Sequence, residues 1–206
     1  MSNKLKQPIM VVKSDLLFAN HHFEGFLPQH EYDYEKRILA NYEYLPRGIA
    51  EENPKYRQTI PYAIICNENQ EIFTYQRTSG DNAGIEERLH GKWSWGVGGH
   101  IDQQKKIESN PIYATLLREI FEEIGVTKYR TIKILGYVNN ESDSVGRVHF
   151  GILYRVNVIS PKLIIQKREI DQGRFMSIQE IASINNDDNC IVEEWSQHAL
   201  KALKIT

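Results

Sequence analysis

The segment from Asn110 to Gly125 constrains the fold more than any other, because it carries its own start and stop signals. Asparagine before proline is a helix start: the Asn side chain accepts from an orphan N–H of the first turn, and proline's fixed φ suits the first helical position. Gly125 supplies the residue type that takes up the left-handed conformation closing a helix. Between these ends, Tyr113, Leu117, Ile120 and Ile124 recur at steps of four, three and four, which predicts one apolar stripe facing a core. With that stripe inward, Arg118, Glu119, Glu122 and Glu123 turn outward or toward a cleft. Glu119 stands three residues from Glu122 and four from Glu123, so the carboxylates share a face. Like charges at such spacings each cost about a few tenths of a kcal/mol. A divalent cation with a taste for oxygen, Mg²⁺ or Mn²⁺, converts that repulsion into attraction. The plainer alternative is a solvated helix face with an ordinary Arg118–Glu122 pair.

The surrounding pattern predicts a mixed α/β architecture. Ile60–Cys66 and Ile72–Arg77 read as strands around the turn-rich Asn67–Gln70, hence a hairpin. Thr78–Glu87 reads as a polar loop, and Trp93–Ile101 as a strand ending in a Gly-Gly pair that lets a ligand or metal approach the backbone closely. Asp102–Ser109 is polar and reads as a loop; Ile132–Val138 and Val148–Val156 are further strands. Leu163–Gln166 and Arg174–Met176 are shorter strand candidates, Ser177 opens a short helix, and Asp188 or Asn189 opens a last one to about Lys204. Nearer the start, Ile9–Val12 reads as a strand and Tyr34–Tyr44 as a helix. Strands and helices interleave without strict alternation, so the expectation is a mixed sheet with helices on both faces.

Charge and cysteine usage remove several function classes. A net charge of −2 over 206 residues gives no electrostatic case for a nucleic-acid duplex or a membrane surface. No apolar run approaches a transmembrane span, and the opening MSNKLKQPIM lacks the apolar stretch of a secretory signal. Cys66 and Cys190 are far apart and have no metal-ligand spacing, which predicts a reduced, cytoplasmic protein with two inert thiols.

At the acidic helix the chain resembles a known family. Arg118-Glu-Ile-Phe-Glu-Glu-Ile-Gly-Val126 matches the second half of the Nudix box, R-E-U-x-E-E-x-G-U with U aliphatic, at all seven defined positions, and Gly98-Gly99 precede it. The resemblance runs from about Gln58 to Ile184 and is closest in kind to MutT-like phosphoesterases with N-terminal extensions. It implies a Nudix-type α/β/α sandwich over residues 58–206, with residues 1–57 as an extension packed on the core. That extension would cap the cleft or form a homodimer contact. The implied activity is metal-dependent hydrolysis of a pyrophosphate bond in a small nucleoside diphosphate-linked substrate. Carried over by position, Glu122 and Glu123 would ligate Mg²⁺ or Mn²⁺, and Glu119 would be a further ligand or orient the attacking water. Arg118 would hold the glutamates by ion pairing, and the Gly99 carbonyl would complete the shell. A non-catalytic nucleotide-sensing module is the alternative from another class. An isomerase acting on a prenyl diphosphate ranks last, because no cysteine lies near the motif.

The chain departs from the family pattern ahead of the helix. The pattern's glycine and glutamate, fourteen and eight residues before the arginine, fall on Gln104 and Asn110. Taking Gly99 as the box glycine leaves 18 residues before Arg118, about five more than the pattern has, with Glu108 as the substitute acid. Cationic candidates for the substrate's phosphates are Arg77, at a strand end, and Arg88, with Lys92 behind them. Glu141, Asp143, Glu169 and Asp171 are candidates to complete the acidic site. His100 and His149 read as hydrogen-bonded structural histidines, and Trp93 and Trp95 as core residues.

Overall fold

The computed structural model of the protein describes residues 3–78, 90–105, 109–159, 163–165 and 170–205. Its strands are β1 (Pro8–Lys13), β2 (Gly25–Pro28), β3 (Tyr42–Pro46), β4 (Tyr56–Cys66), β5 (Ile72–Arg77), β6 (Trp93–Ser94), β7 (Val97–Gly98), β8 (Tyr129–Asn139), β9 (His149–Val158) and β10 (Ile170–Met176). Its helices are α1 (Ser14–Phe18), α2 (Tyr34–Asn41), α3 (Arg47–Ala50), α4 (Pro111–Ile124), α5 (Ile178–Asn185) and α6 (Glu194–Ile205). The sheet runs in the order β10-β5-β4-β9-β8-β2, with β1, β3, β6 and β7 joined off that path. A mixed sheet with helices is what the interleaved pattern predicts.

The chain divides into two compact units: Met1–Tyr62, Gly98–Leu116 and Ile134–Leu153 form the first, and Ala63–Val97, Leu117–Lys133 and Tyr154–Thr206 the second. In the first, β1 pairs antiparallel with β3 on one edge and with the start of β4 on the other. Strand β2 pairs with the end of β8. Tyr34 and Phe150 lie at the centre of an aromatic cluster, their ring centroids 5.2 Å apart, with Tyr137 5.2 Å from Tyr34. In the second unit β5 pairs with β10 on one side and with β6 further along, and the β4–β5 hairpin closes at Cys66↔Ile72. Its turn is tied by Asn67, whose Oδ1 accepts from the N–H groups of Asn69 (3.0 Å) and Glu71 (2.9 Å). Both cysteines are free thiols.

Helix α4 begins and ends as its signals predict. The Tyr113 N–H donates to Asn110 Oδ1 at 3.0 Å, and Gly125 takes a φ of 71° while its N–H donates to the Phe121 carbonyl at 2.9 Å. An Asn110→Ala variant is expected to lose about 1 kcal/mol of stability, read as a lower urea midpoint at unchanged slope, because a first-turn N–H loses its acceptor. The buried face, however, is rotated from the expected stripe. Ile112, Leu116, Ile120 and Ile124 are fully buried, whereas Tyr113 is 41% exposed and Leu117 is half-buried. Stepping back from Ile120, apolar residues stand both three and four positions away, so the pattern admits two phases. The helix adopts the uniform four-residue step.

Four other expectations are corrected. The helix from Tyr34 stops at Asn41, and Tyr42–Pro46 leaves as β3 because it pairs with β1. The expected strand Trp93–Ile101 is two short pieces, β6 and β7. Between them Trp95 is fully buried, and its backbone N–H donates to Ser196 Oγ at 3.1 Å instead of to a neighbouring strand. The last helix starts at Glu194, because Asp187–Cys190 forms a turn in which Asp187 accepts from Asn189 and Cys190. Leu163–Ile165 belongs to no strand, and Gln166 lies outside the described residues. Helix α5 is capped as expected, with Ser177 and Glu180 forming a reciprocal capping box.

Candidate functional site

The rotated phase of α4 changes where its carboxylates lie. Glu119 and Glu123 stand seven residues after Ile112 and Leu116, and so fall on the buried face, with exposures of 5% and 3%. They do not turn outward as the expected stripe required. Glu122 remains accessible, its side chain 44% exposed. A carboxylate taken out of water needs a compensating cation, and Arg118 is one: its Nη1 lies 2.9 Å from Glu119 Oε1 and donates to Glu122 Oε2 at 3.0 Å. One guanidinium thus pairs with two glutamates of the helix.

A second buried cation stands in the same unit. Arg77, at the end of β5, donates from Nε to Glu193 Oε1 at 2.7 Å, with the two side chains only 18% and 8% exposed. Its guanidinium carbon lies 5.2 Å from the centroid of the Tyr75 ring. Burial alone would push the Arg77 guanidinium down; the Tyr75 phenol, Glu193 and Glu123 outweigh it and hold the group well above the ordinary arginine range. The field of Glu123 therefore acts on Arg77, which links the substrate-binding candidate to the acidic helix. Ser94 Oγ donates to the other oxygen of Glu193 at 2.9 Å, so that carboxylate is gripped from two strands.

Glu193 was not among the expected residues. Its position fell inside the helix expected from Asp188, where an acidic side chain looks solvated. The true first turn begins one residue later, and the Glu193 carbonyl accepts from the Gln197 N–H at 3.1 Å. Its N–H donates to the Trp93 carbonyl at 2.9 Å, so the residue is pinned to β6. The adjacent acids in Ile191-Val-Glu-Glu-Trp195 were the available signal, since acidic residues favour a helix N-terminus.

The remaining candidates separate. Arg88, Glu108 and Glu169 lie outside the described residues. Gly99 belongs to the first unit, directly after β7. Its neighbour Gly98 is glycine for packing: an added Cβ would stand 2.2 Å from the Pro61 carbonyl oxygen. Glu141 serves the first unit, accepting from Arg57 Nη2 at 2.6 Å and facing His22 Nε2 at 3.1 Å. Burial pushes its carboxyl up, but the bonds from His22 and Arg57 outweigh it and hold Glu141 below the usual range. Asp143 closes a turn by accepting from the N–H groups of Val145 and Gly146, and Asp171 is exposed on β10.

Helix α4 offers donors suited to a cation. Three carboxylates on one helix are hard oxygen ligands of the right kind, and the buried Glu123 Oε2 accepts no hydrogen bond among the described residues. The Glu119 and Glu122 side chains are drawn onto Arg118, and among the described residues no group of three His, Cys, Asp or Glu is already arranged around a metal position. The donor chemistry fits an Mg²⁺-type ion.

The chain is similar over most of its length to known proteins. The family model described as the NUDIX domain matches residues 56–195. Protein YmaB of Bacillus subtilis is 33% identical over 217 residues, spanning 98% of this chain and 99% of its own. Among solved structures, Tm1382, assigned to the Nudix hydrolases, superposes with a TM-score of 0.77 at 24% identity, covering 96% of this chain and 98% of that one. The NUDIX domain of Shewanella oneidensis NrtR, solved with ADP ribose, gives a TM-score of 0.50 at 15% identity over 72% of this chain and 87% of that one.

Proposed function

The chain belongs to the NUDIX domain family, and from that premise we propose that it is a metal-dependent hydrolase cleaving a pyrophosphate bond in a small nucleoside diphosphate-linked substrate. The observation that carries the reading is the burial of Glu119 and Glu123 on the apolar face of α4, with Arg118 bridging Glu119 and Glu122. Packing alone would favour apolar side chains at those two positions, since burying a carboxylate costs more than it returns. Residues 1–57 are, on this reading, an extension on a Nudix domain of residues 58–206.

Glu122, Glu123 and Glu119 would hold Mg²⁺ or Mn²⁺. When bound, the ion supplies Lewis acidity toward the phosphoryl oxygens and lowers the pKa of a coordinated water. Arg118 keeps Glu119 and Glu122 oriented, which preserves the ligand geometry without substrate. Glu119 takes the proton of the attacking water on its carboxylate. Attack at phosphorus breaks one P–O bond of the anhydride bridge and leaves two phosphate-bearing products. Arg77, fixed by Glu193, would neutralise charge on the substrate's diphosphate.

The test is product release from a panel of nucleoside diphosphate-linked compounds with and without Mg²⁺. Hydrolysis of at least one compound that is lost on chelation and restored by Mg²⁺ or Mn²⁺ is the expected result. Tight binding of a compound with no turnover at any metal concentration would overturn the hydrolase reading in favour of a sensing module.

A further inference from the structure

Away from the acidic helix, three polar side chains of the first unit converge: Gln58 on β4, His100 just after β7, and His149 at the start of β9. The two Nε2 atoms of His100 and His149 are 3.3 Å apart, and His100 Nε2 is 2.8 Å from Gln58 Oε1. The ring planes are inclined at 68°, so the contact is nitrogen to nitrogen and not a stack. Such an approach needs at least one of the two nitrogens to be without a proton.

The surroundings decide which. His149 Nδ1 is 2.8 Å from the Val145 carbonyl oxygen. A carbonyl only accepts, so Nδ1 carries the proton, and in the neutral ring Nε2 presents its lone pair toward His100. A backbone carbonyl fixing the far nitrogen is the usual support of a metal-ligating histidine. Gln58 adds an independent observation: it is fully buried, and its Nε2 has no hydrogen-bond partner. An orphan donor of this kind is costly, and flipping the amide would only transfer the orphan to the oxygen. The amide atom turned toward His100 is the carbonyl oxygen, Oε1.

We propose that Gln58 Oε1, His100 Nε2 and His149 Nε2 form a binding site for a borderline first-row divalent cation, of which Zn²⁺ is the type. The spacing supports it. Ligand nitrogens at about 2.0–2.1 Å from a tetrahedral ion lie about 3.3–3.4 Å from one another. The histidine pair is already at that separation; the amide oxygen, 2.8 Å from His100 Nε2, would move outward by about 0.5 Å to take its place in the same shell. Two imidazoles and one amide oxygen select such an ion over Mg²⁺, which prefers carboxylates and water. His100 would bind as the Nδ1–H tautomer, with the amide oxygen as a fellow ligand. The ion would join side chains of three neighbouring chain segments of the sheet. The site uses no residue of the α4 carboxylate cluster, and the hydrolase reading is not a premise of it.

The full chain, stripped of metal, is titrated with Zn²⁺, and the histidine ring ¹⁵N signals and the Zn X-ray absorption edge are recorded. The expected result is one Zn²⁺ per chain with two imidazoles in its shell, and shifts of the His100 and His149 Nε2 resonances. Its affinity is expected to fall at least tenfold in His149→Ala and in His100→Ala, and to hold within about twofold in Glu122→Gln. Equal affinity in the wild type and both histidine variants, loss only in Glu122→Gln, or a shell without imidazole would each overturn the proposal. Should a histidine variant fail to fold, the ring resonances of the wild-type chain still decide: no Nε2 shift at saturating Zn²⁺ overturns it.

Discussion

Replacing Glu122 or Glu123 with glutamine is expected to lower turnover of any substrate the wild type cleaves by about 10²–10³-fold, the scale on which single electrostatic stabilisers of a transition state are worth. Glutamine keeps the shape and removes the charge, so the loss reports on the cation and not on packing. The two positions test different things. Glu122 is 44% exposed at its side chain, and its partner is the 30% exposed Arg118. Removing that charge should leave the melting temperature within about 2 °C, since accessible ion pairs contribute little. Glu123 is buried and its field acts on Arg77. Its substitution removes one buried charge from a set that also contains Glu119 and Glu193, so activity and stability move together there. Glu122→Gln is therefore the cleaner variant: undiminished turnover with Mg²⁺ present would remove α4 from the chemistry.

The parts of the molecule legible in advance are those whose determinants are local. Asn110, Gly125 and the Ser177–Glu180 box act within one turn of themselves, and the helix ends lie where those residues put them. The Asn67–Gln70 turn is equally self-contained. What escaped depends on distant partners. Strand β3 is half-buried at Tyr42–Leu45 and has no alternation to announce it; only its pairing with β1, some thirty residues earlier, makes it a strand. The phase of α4 is degenerate in the sequence, because Leu117 is as apolar as Leu116 and Tyr113 presents a largely apolar ring beside Ile112. Choosing between phases depends on which side chains the rest of the fold covers. That choice is also what buries Glu119 and Glu123, so the family motif was readable letter by letter while the environment of its carboxylates was not. The Arg77–Glu193 pair spans 116 positions and has no local signature at either end.

Glu193→Ala is expected to be the most destabilising single substitution among the polar residues discussed, by about 3–5 kcal/mol. The reason is asymmetric. Arg77 keeps its charge at any accessible pH, and its side chain is only 18% exposed. Without Glu193 the guanidinium loses the 2.7 Å bond at Nε while Ser94 Oγ loses its acceptor at 2.9 Å. Water replaces neither bond easily at a site this covered. Spread over a chain of 206 residues, that loss lowers the melting temperature by about 6 °C or more. Glu193→Gln keeps an acceptor for both donors and should recover part of the difference. The double variant Arg77→Met, Glu193→Leu removes both charges and should recover most of it, because a buried pair contributes little net stability against apolar side chains of similar size. Kinetics then separate scaffold from site. If Arg77 neutralises the substrate's diphosphate, the double variant regains stability and not kcat/KM, whereas a purely structural pair would regain both. A Glu193→Ala melt within about 1 kcal/mol of the wild type would show that Arg77 is held by other partners, and would remove the premise that Glu193 positions it.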